Sequence, residues 1–577
     1  MRKAPLIWLL QIGLAVLPFN ALASDLPNCA PDAVLVAFEP SVSSGAKNHV
    51  IARLGLANDN RTKSPYFQRL IITNDRSVNE SLQSLYASGV VRIAEPDWIG
   101  TIQETIPNDT RFSEMWAMRN TGQLGGLLNA DIDATLAWDR QTGNPLLKVA
   151  IIDTGMSYNH VDLNANVWLN PGEIPGNGID DDGNGRIDDL RGYDFVNNDG
   201  NPADDHGHGT HCAGTIGAVG NNGIGVAGVC WNVTMIPIKA FNSQGSGFLS
   251  NTVLAIDYAR QNGAKVMSNS YAFNFRSQLQ FEAIQRAMSA GIVFVAGSGN
   301  NGFDADLTPL YPAGFSTEID NVISVGATNR FDEKASFSNY GLKSVDLFAP
   351  GVDILSTYPV NFYLLGSGTS MATPHAAGSA ALLLSEYPNE TPTEIRERLR
   401  SSADRLSQLE GLSRSGRLNI NRAISANRTT VSGIVELQDL QGALNSHEVT
   451  MTLRASGIDY DSYSSIALNP SGEFVLSTTH SGSYELVVKS SHWLARKTAT
   501  PVLLGSGDVT GLVFSLTNGD SDGDNEVGIG DYALLSVSFN TTPNDPDWDH
   551  RADLNGDEAV DIADYAILSA NFGLVGD

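Results

Sequence analysis

The stretch Gly368-Thr369-Ser370-Met371-Ala372-Thr373-Pro374-His375 constrains this chain most, because it sets a serine at the head of the apolar helical run Ala376 to Leu384. A helix N-terminus leaves backbone N–H groups without intrahelical partners, so a hydroxyl there stands beside donors able to meet an anion. Serine is a weak nucleophile, and it needs a base that is itself held by an orienting group. Both are encoded upstream. Val149-Ala150-Ile151-Ile152 runs straight into Asp153-Thr154-Gly155, which reads as a buried strand delivering a carboxylate at its C-terminal end, where open α/β sheets place their sites. Between the two lies His206-Gly207-His208-Gly209-Thr210-His211, followed by the small-residue run Cys212-Ala213-Gly214. Groups so far apart in the chain meet at one sheet edge in a parallel α/β sheet flanked by helices.

In the order Asp, His, Ser, these segments resemble subtilisin-like serine proteases over residues 106–425. The resemblance implies that Asp153 orients and stabilises the imidazolium, His208 is general base and then acid, and Ser370 attacks the scissile carbonyl. His208 is taken over His206 and His211 because it begins the His-Gly-Thr-His string; the other two read as support or surface residues. Asn300 lies in Val293-Phe294-Val295-Ala296-Gly297-Ser298-Gly299-Asn300-Asn301-Gly302, an apolar strand ending in a polar loop. It matches the family's oxyanion-hole asparagine, and the Gly-Asn-x-Gly frame selects it over Asn301.

Ser268-Asn269-Ser270-Tyr271-Ala272 corresponds to the family's substrate strand, whose backbone pairs with an extended peptide. By the same correspondence Gly297 and Gly299 are substrate-binding. Ala272 replaces a glycine and adds a methyl to the pocket wall, and Leu310 projects toward the same pocket. The expectation is a shallow pocket for small or medium apolar side chains.

At 577 residues, 42% of them hydrophobic, the chain has room for several domains. Arg2 and Lys3, the apolar run Leu6 to Leu17 and Ala21-Leu22-Ala23 read as a secretory signal, residues 1–23, rather than a membrane anchor, because the run is too short to span. No later stretch reaches spanning length, so a secreted, extracellular protein is expected, with association at a cell surface as a further option. Three cysteines exclude a disulfide scaffold; Cys212 and Cys230 read equally as a pair or as two buried thiols. A net charge of −28 argues against nucleic acid or anionic membrane as partners.

Residues 24–105 alternate strand-like and helical pieces: Ala33 to Phe38, Phe67 to Ile72, a helix from Val78 to Leu85, then Val90 to Asp97. This is similar to the inhibitory propeptides of the same family, small α+β domains that assist folding and block the enzyme until removed. Residues 427–518 change character, with short alternating segments separated by Gly, Ser and Asn clusters, and read as a β-sandwich module.

Residues 519–577 are an internal repeat. Asp520, Asp522, Asp524 and Asp531 in the first copy return as Asp553, Asn555, Asp557 and Asp564 in the second. Oxygen ligands at positions one, three, five and twelve suit Ca²⁺, and aspartate at twelve resembles dockerin repeats, implying a cohesin-like partner. Position six, usually glycine, is Asn525 in one loop and Glu558 in the other, so strain is expected at Glu558. Ile529-Gly530 and Ile562-Ala563 occupy the partner-recognition positions.

Two more calcium sites are expected in the protease. Asp180, Asp182, Asn184 and Asp189 alternate around tight glycine turns, and so many close carboxylates repel one another without a cation. Asp162 with the Asn222-Gly223-Ile224-Gly225-Val226 loop resembles the family's strong site, through the Asn222 side chain and the Ile224 and Val226 carbonyls.

The combined reading is an α/β protein: a parallel-sheet catalytic domain with a small α+β propeptide, a β-sandwich module and a helical calcium-loop tail. It describes a calcium-stabilised serine endopeptidase acting on proteins or peptides, made as a zymogen restrained by its own propeptide. The competing reading is a catalytically silent binding or adhesion protein that docks through its tail.

Overall fold

The protein is described from a computed structural model covering residues 29–59, 64, 66–98 and 104–577. The expected export signal lies outside the described residues. The chain forms two compact units, Met1–Gln103 and Glu104–Asp577.

In the first unit β1 (Cys29–Phe38), α1 (Ser44–Arg53), β2 (Leu56–Asn58), β3 (Gln68–Ile72), α2 (Val78–Ala87) and β4 (Val91–Trp98) build an antiparallel sheet of order β2-β3-β1-β4 with two helices. Its core is Val34, Val36, Ile51, Leu70 and Leu85. Strands β1, β3 and β4 and helix α2 follow the sequence expectation, which did not include β2; α2 starts on a reciprocal Ser77–Glu80 capping box. Helix α1 was not anticipated, because Ser44-Gly45-Ala46-Lys47-Asn48-His49 carries no apolar stripe; a Ser43 cap and two buried residues, Val50 and Ile51, hold it.

The second unit begins with the short α3 (Ala134–Ala137), followed by β5 (Gly143–Asp153), β6 (Tyr193–Asp194), α4 (His208–Gly217), β7 (Asn232–Lys239), α5 (Leu249–Gln261) and β8 (Val266–Asn269). It continues with α6 (Gln278–Ser289), β9 (Val293–Gly297), β10 (Val322–Thr328) and β11 (Leu347–Pro350). Seven strands pair in the order β11-β10-β9-β8-β5-β7-β6, every pairing parallel. Alternate side chains of β5 enter opposite cores: Val149 and Ile151 one, Ala150 and Ile152 the other.

The hairpin β12 (Ile354–Tyr358) and β13 (Phe362–Gly366) leads into α7 (Thr369–Glu386), then α8 (Pro392–Ser401) and α9 (Ile420–Ser425). Helix α7 is buried on nearly every side, and its small residues Ala372, Ala376, Ala377 and Ala380 pack in the same core as Val149. That lets its N-terminus sit at the C-terminal edge of the sheet, beside the end of β5.

The next module comprises β14 (Thr429–Leu437), β15 (Glu448–Ala455), β16 (Ile458–Ala467), β17 (Glu473–Thr478), β18 (Gly482–Ser490), β19 (Trp493–Lys497), β20 (Val502–Leu504) and β21 (Val509–Leu516). Sheets of order β17-β14-β21 and β16-β15-β18-β19, with β20 on β18, close on a core containing Val435, Met451, Phe474, Leu486 and Trp493. The module is seated on α8 through Glu397, whose Oε1 accepts bonds from Tyr463, Thr478 and Thr479. The tail adds α10 (Ile529–Ser538) and α11 (Ile562–Asn571), whose small core includes Leu494 of β19.

Candidate active site

Strand β5 ends on Asp153, only 3% exposed, whose Oδ1 accepts from the Thr154 N–H at 2.7 Å and stands 2.7 Å from His208 Nδ1. His208 opens α4, and Gly207 before it has φ 101°; a Cβ there would strike the Tyr358 ring, so glycine is needed. Asp204 pins this entry, accepting from the backbone of His206, Gly207 and Thr210 and from the Thr154 and Thr210 hydroxyls. Lys239, the register partner of Asp153 on β7, is buried and donates to the carbonyls of Thr154 and Phe241 and to Asp205. Neither Asp204 nor Lys239 was selected from sequence, since each acts through neighbours that only the fold assembles.

Burial works against a charged His208, but the charge and hydrogen bond of Asp153, with Asp204 beyond it, outweigh that and raise its pKa above the ordinary histidine value. Ser370, in the first turn of α7, donates its hydroxyl to the Ser270 carbonyl at 3.3 Å. Hydrogen bonds between nucleophile and base are commonly loose until substrate arrives. The Ser370 carbonyl accepts from Ser270 Oγ at 3.1 Å and Cys212 Sγ at 3.3 Å, fixing the backbone behind the hydroxyl.

Asn300 follows β9 and faces the same opening. Its Oδ1 accepts from the Thr369 N–H at 2.8 Å and the Thr369 hydroxyl at 3.0 Å, which leaves the Nδ2 group as the side chain's donor. Ser270, Tyr271, Ala272, Gly297, Gly299, Asn300, Leu310 and Ser370 line one cleft of about 520 Å³. Leu310 lies against Gly299, where a Cβ would meet its Cδ1. Ser268 is a correction: it sits inside β8, 2% exposed, and does not line the cleft, whose wall starts two residues later where the strand leaves the sheet.

His206 is exposed, whereas His211 and His375 are buried and burial pushes both down to about 4. His211 Nε2 faces the carbonyls of Ile354 and Leu364 in the hairpin, a supporting position. Cys212 and Cys230 are buried free thiols.

The acidic insertion brings carboxylate oxygens of Glu173, Asp182 and Asp189 within 4.8 Å of one another. Asn184 donates to both aspartates while its own Oδ1 is buried without a partner. Asp180 does not join that trio; its oxygens accept the Asn184 and Gly185 N–H groups and shape the turn. Glu173 escaped the sequence reading because it precedes the alternating stretch. Asp162 accepts from Asn222 Nδ2, the Val226 N–H and the Tyr363 hydroxyl. Beside it Asp109, also missed, is 5% exposed with Oδ1 unpartnered, and burial, reinforced by Asp162, raises its pKa. Two buried carboxylates side by side, one with an orphan oxygen, have the chemistry of a hard-cation site.

In the tail, Asp520, Asp522 and Asp531 form a third cluster within 4.8 Å. Asp524 accepts from the Glu526 N–H. In the second loop Asp553 and Asp564 accept backbone N–H groups while Asn555 donates to Asp557. Asn525 and Glu558 both adopt left-handed backbone, φ 69° and 68°, as position six demands.

The sequence profile of the subtilase family matches residues 146–425, and that of the dockerin type I domain matches residues 518–573. A thermophilic serine proteinase of Bacillus sp. (strain AK1) is 36% identical over 395 residues, covering 68% of this chain and 87% of its own length. Thermitase of Thermoactinomyces vulgaris is 39% identical over 318 residues, 55% of this chain and 99% of its own. Among solved structures, a cold adapted subtilisin-like serine proteinase aligns at 33% identity and TM-score 0.39, over 47% of this chain and 88% of that one. The chain therefore belongs to the subtilase family of serine endopeptidases and carries a C-terminal dockerin type I domain.

Proposed function

We propose that Asp153, His208 and Ser370 form the catalytic triad and that Asn300 Nδ2 stabilises the oxyanion. A peptide laid along Ser270-Tyr271-Ala272 presents its carbonyl to Ser370. His208 takes the hydroxyl proton at Nε2 as Oγ attacks, and the imidazolium is held by Asp153. The developing oxyanion meets Asn300 Nδ2 and the backbone N–H of Ser370 at the head of α7. His208 then protonates the leaving amine, and water attacks the acyl-enzyme by the reverse sequence. The observation that carries this reading is the 2.7 Å contact between the buried Asp153 carboxylate and His208 Nδ1, taken with the cleft that Ser370 and Asn300 line together. Leu310 and Ala272 narrow the pocket for the residue before the scissile bond, so small or medium apolar side chains are preferred there; dominant cleavage after Arg or Lys in a peptide-library profile would refute this.

The protease is calcium-stabilised on this reading. Calcium supplies the positive charge that the clustered carboxylates lack. Asp109, Asp162, Asn222 and the Ile224 and Val226 carbonyls would hold one ion; Glu173, Asp182, Asn184 and Asp189 another; the two tail loops one each. Residues 24–105 act as a self-removed inhibitory propeptide, the mature enzyme starts near Ile106, and the protein is exported. The dockerin docks on a cohesin-like partner outside the cell.

The test is purification of wild type and Ser370→Ala with calcium, N-terminal sequencing and a casein cleavage assay. Wild type should lose its N-terminal segment and cleave casein, while Ser370→Ala stays full-length. Two folded, uncut and inactive proteins would favour the catalytically silent alternative.

A further inference from the structure

We infer that the β-module is the built-in partner of both calcium loops of the tail, so that loading the loops with calcium and docking the tail on the module are one linked equilibrium. This rests on reading residues 520–531 and 553–564 as calcium loops.

In the first loop, Asn525 stands where a glycine is usual, and its left-handed backbone frees its side chain to leave the loop. Asn525 Oδ1 accepts the Ala495 N–H of β19 at 2.8 Å, while its own N–H donates to Asp520 Oδ2 at 3.1 Å. Lys489 donates from Nζ to the same Asp520 oxygen at 2.7 Å and to the carbonyls of Ser491 and Trp493. The first ligand position of the loop and the module contact are thus set by the same two tail residues.

The second loop is held by a different part of the module. The Gln441 N–H donates to the Asn555 carbonyl at 2.8 Å, and Gly556 lies against Leu440, where a Cβ would clash. The chain end closes the seam: the Asp577 N–H donates to the Ala495 carbonyl, and its carboxylate accepts the Lys497 N–H. Leu494 completes the tail's small core. The face left open carries Ile529 and Ile562, 77% and 68% exposed.

Organising either loop around an ion fixes the groups that bond to the module, and docking fixes the groups that would bind the ion. Such coupling is reciprocal: each event favours the other by the same factor.

The experiment uses the full chain as Ser370→Ala, to prevent self-digestion, and follows amide hydrogen exchange with calcium and with a chelator. Peptides 438–443 and 493–497 report the seam, 520–531 and 553–564 the loops, and β15 and β18 the module core. Chelation should speed exchange in the seam together with the loops while β15 and β18 stay slow. Asn525→Gly, added to the same protein and followed by exchange in calcium, retains the left-handed turn but removes the Ala495 contact. It should speed exchange of 493–497 about tenfold and, in a separate calorimetric titration of the calcium-free protein, weaken calcium binding to the tail about fivefold, the scale of one lost half-buried hydrogen bond. Loops that lose protection on chelation while the seam does not, or an Asn525→Gly seam as protected as the parent's, would overturn the coupling alone. Loops indifferent to chelation would overturn the calcium reading and this inference with it.

Discussion

On the proposed mechanism Asn300 performs two separable tasks, and replacing it two ways tells them apart. Its Oδ1 anchors the Thr369 N–H and hydroxyl at the start of α7, and its Nδ2 is the proposed oxyanion donor. Asn300→Ala removes both. Loss of one oxyanion donor costs about 2.7–4 kcal/mol of transition-state stabilisation, a fall of roughly 10²–10³ in kcat. Loss of the acceptor leaves a helix-terminal N–H unpaired, worth about 1 kcal/mol of stability. Asn300→Asp keeps an acceptor for Thr369 but offers no donor and sets a negative charge where the oxyanion forms. Its kcat should fall at least as far as that of Asn300→Ala with Tm unchanged, while Asn300→Ala alone also loses a few degrees. Steady-state kinetics on a chromogenic peptide, beside thermal melts of the same variants on the Ser370→Ala background, make the comparison. KM should hardly move, because the donor acts in the transition state. A kcat loss under about tenfold in both variants, or a loss expressed mainly in KM, would refute the assignment.

The remaining expectations are more direct. Because Asp153 raises the pKa of His208 and the proposed mechanism needs its neutral form, kcat/KM should fall as pH drops through a value above that of an ordinary histidine; a profile flat from pH 5 to 8 with chemistry rate-limiting would contradict the role. Acid should also weaken the fold. His211 and His375 are pushed down to about 4, so below about pH 6.5 the unfolded chain takes protons that the native chain refuses, and stability is lost down to about pH 4, on the order of 3 kcal/mol for each. Asp131, whose buried carboxyl is pushed up to about 7, works in the opposite sense and offsets part of this; a denaturant midpoint constant from pH 7 to 4.5 would sink the net prediction. Chelation should lower the Tm of the Ser370→Ala protein, since an ion at about 1,000 times its Kd contributes about 4 kcal/mol. Glu173→Gln should need more calcium to recover the parent Tm, and an unchanged calcium dependence would remove Glu173 from that site.

Much of the proposed active site was legible because each of its parts is a local pattern. An apolar run ending in Asp153, the His-Gly-Thr-His string at His208, a helical run headed by Ser370 and an apolar strand ending in a polar loop at Asn300 are properties of about ten residues each. Their order along the chain sufficed to identify the family. The repeat at 520–564 was legible for the same reason, as alternating oxygens at fixed intervals. Tertiary structure alone decided what lies between segments. Ser268 left the cleft because it lies inside β8, and the cleft wall begins only at Ser270, where the chain has left the sheet. Glu173 and Asp109 joined acidic groups from which their own segments separate them in sequence. The carboxylates gather into candidate cation sites, each with buried members, and burial, which raises the cost of like charge, has no signature in a list of residues. The same holds for Asn525: sequence marked it as a departure from glycine, and only the fold showed its amide reaching Ala495. Short-range periodicity dictates local conformation, whereas which distant groups touch, and which are denied water, follows from how the layers pack.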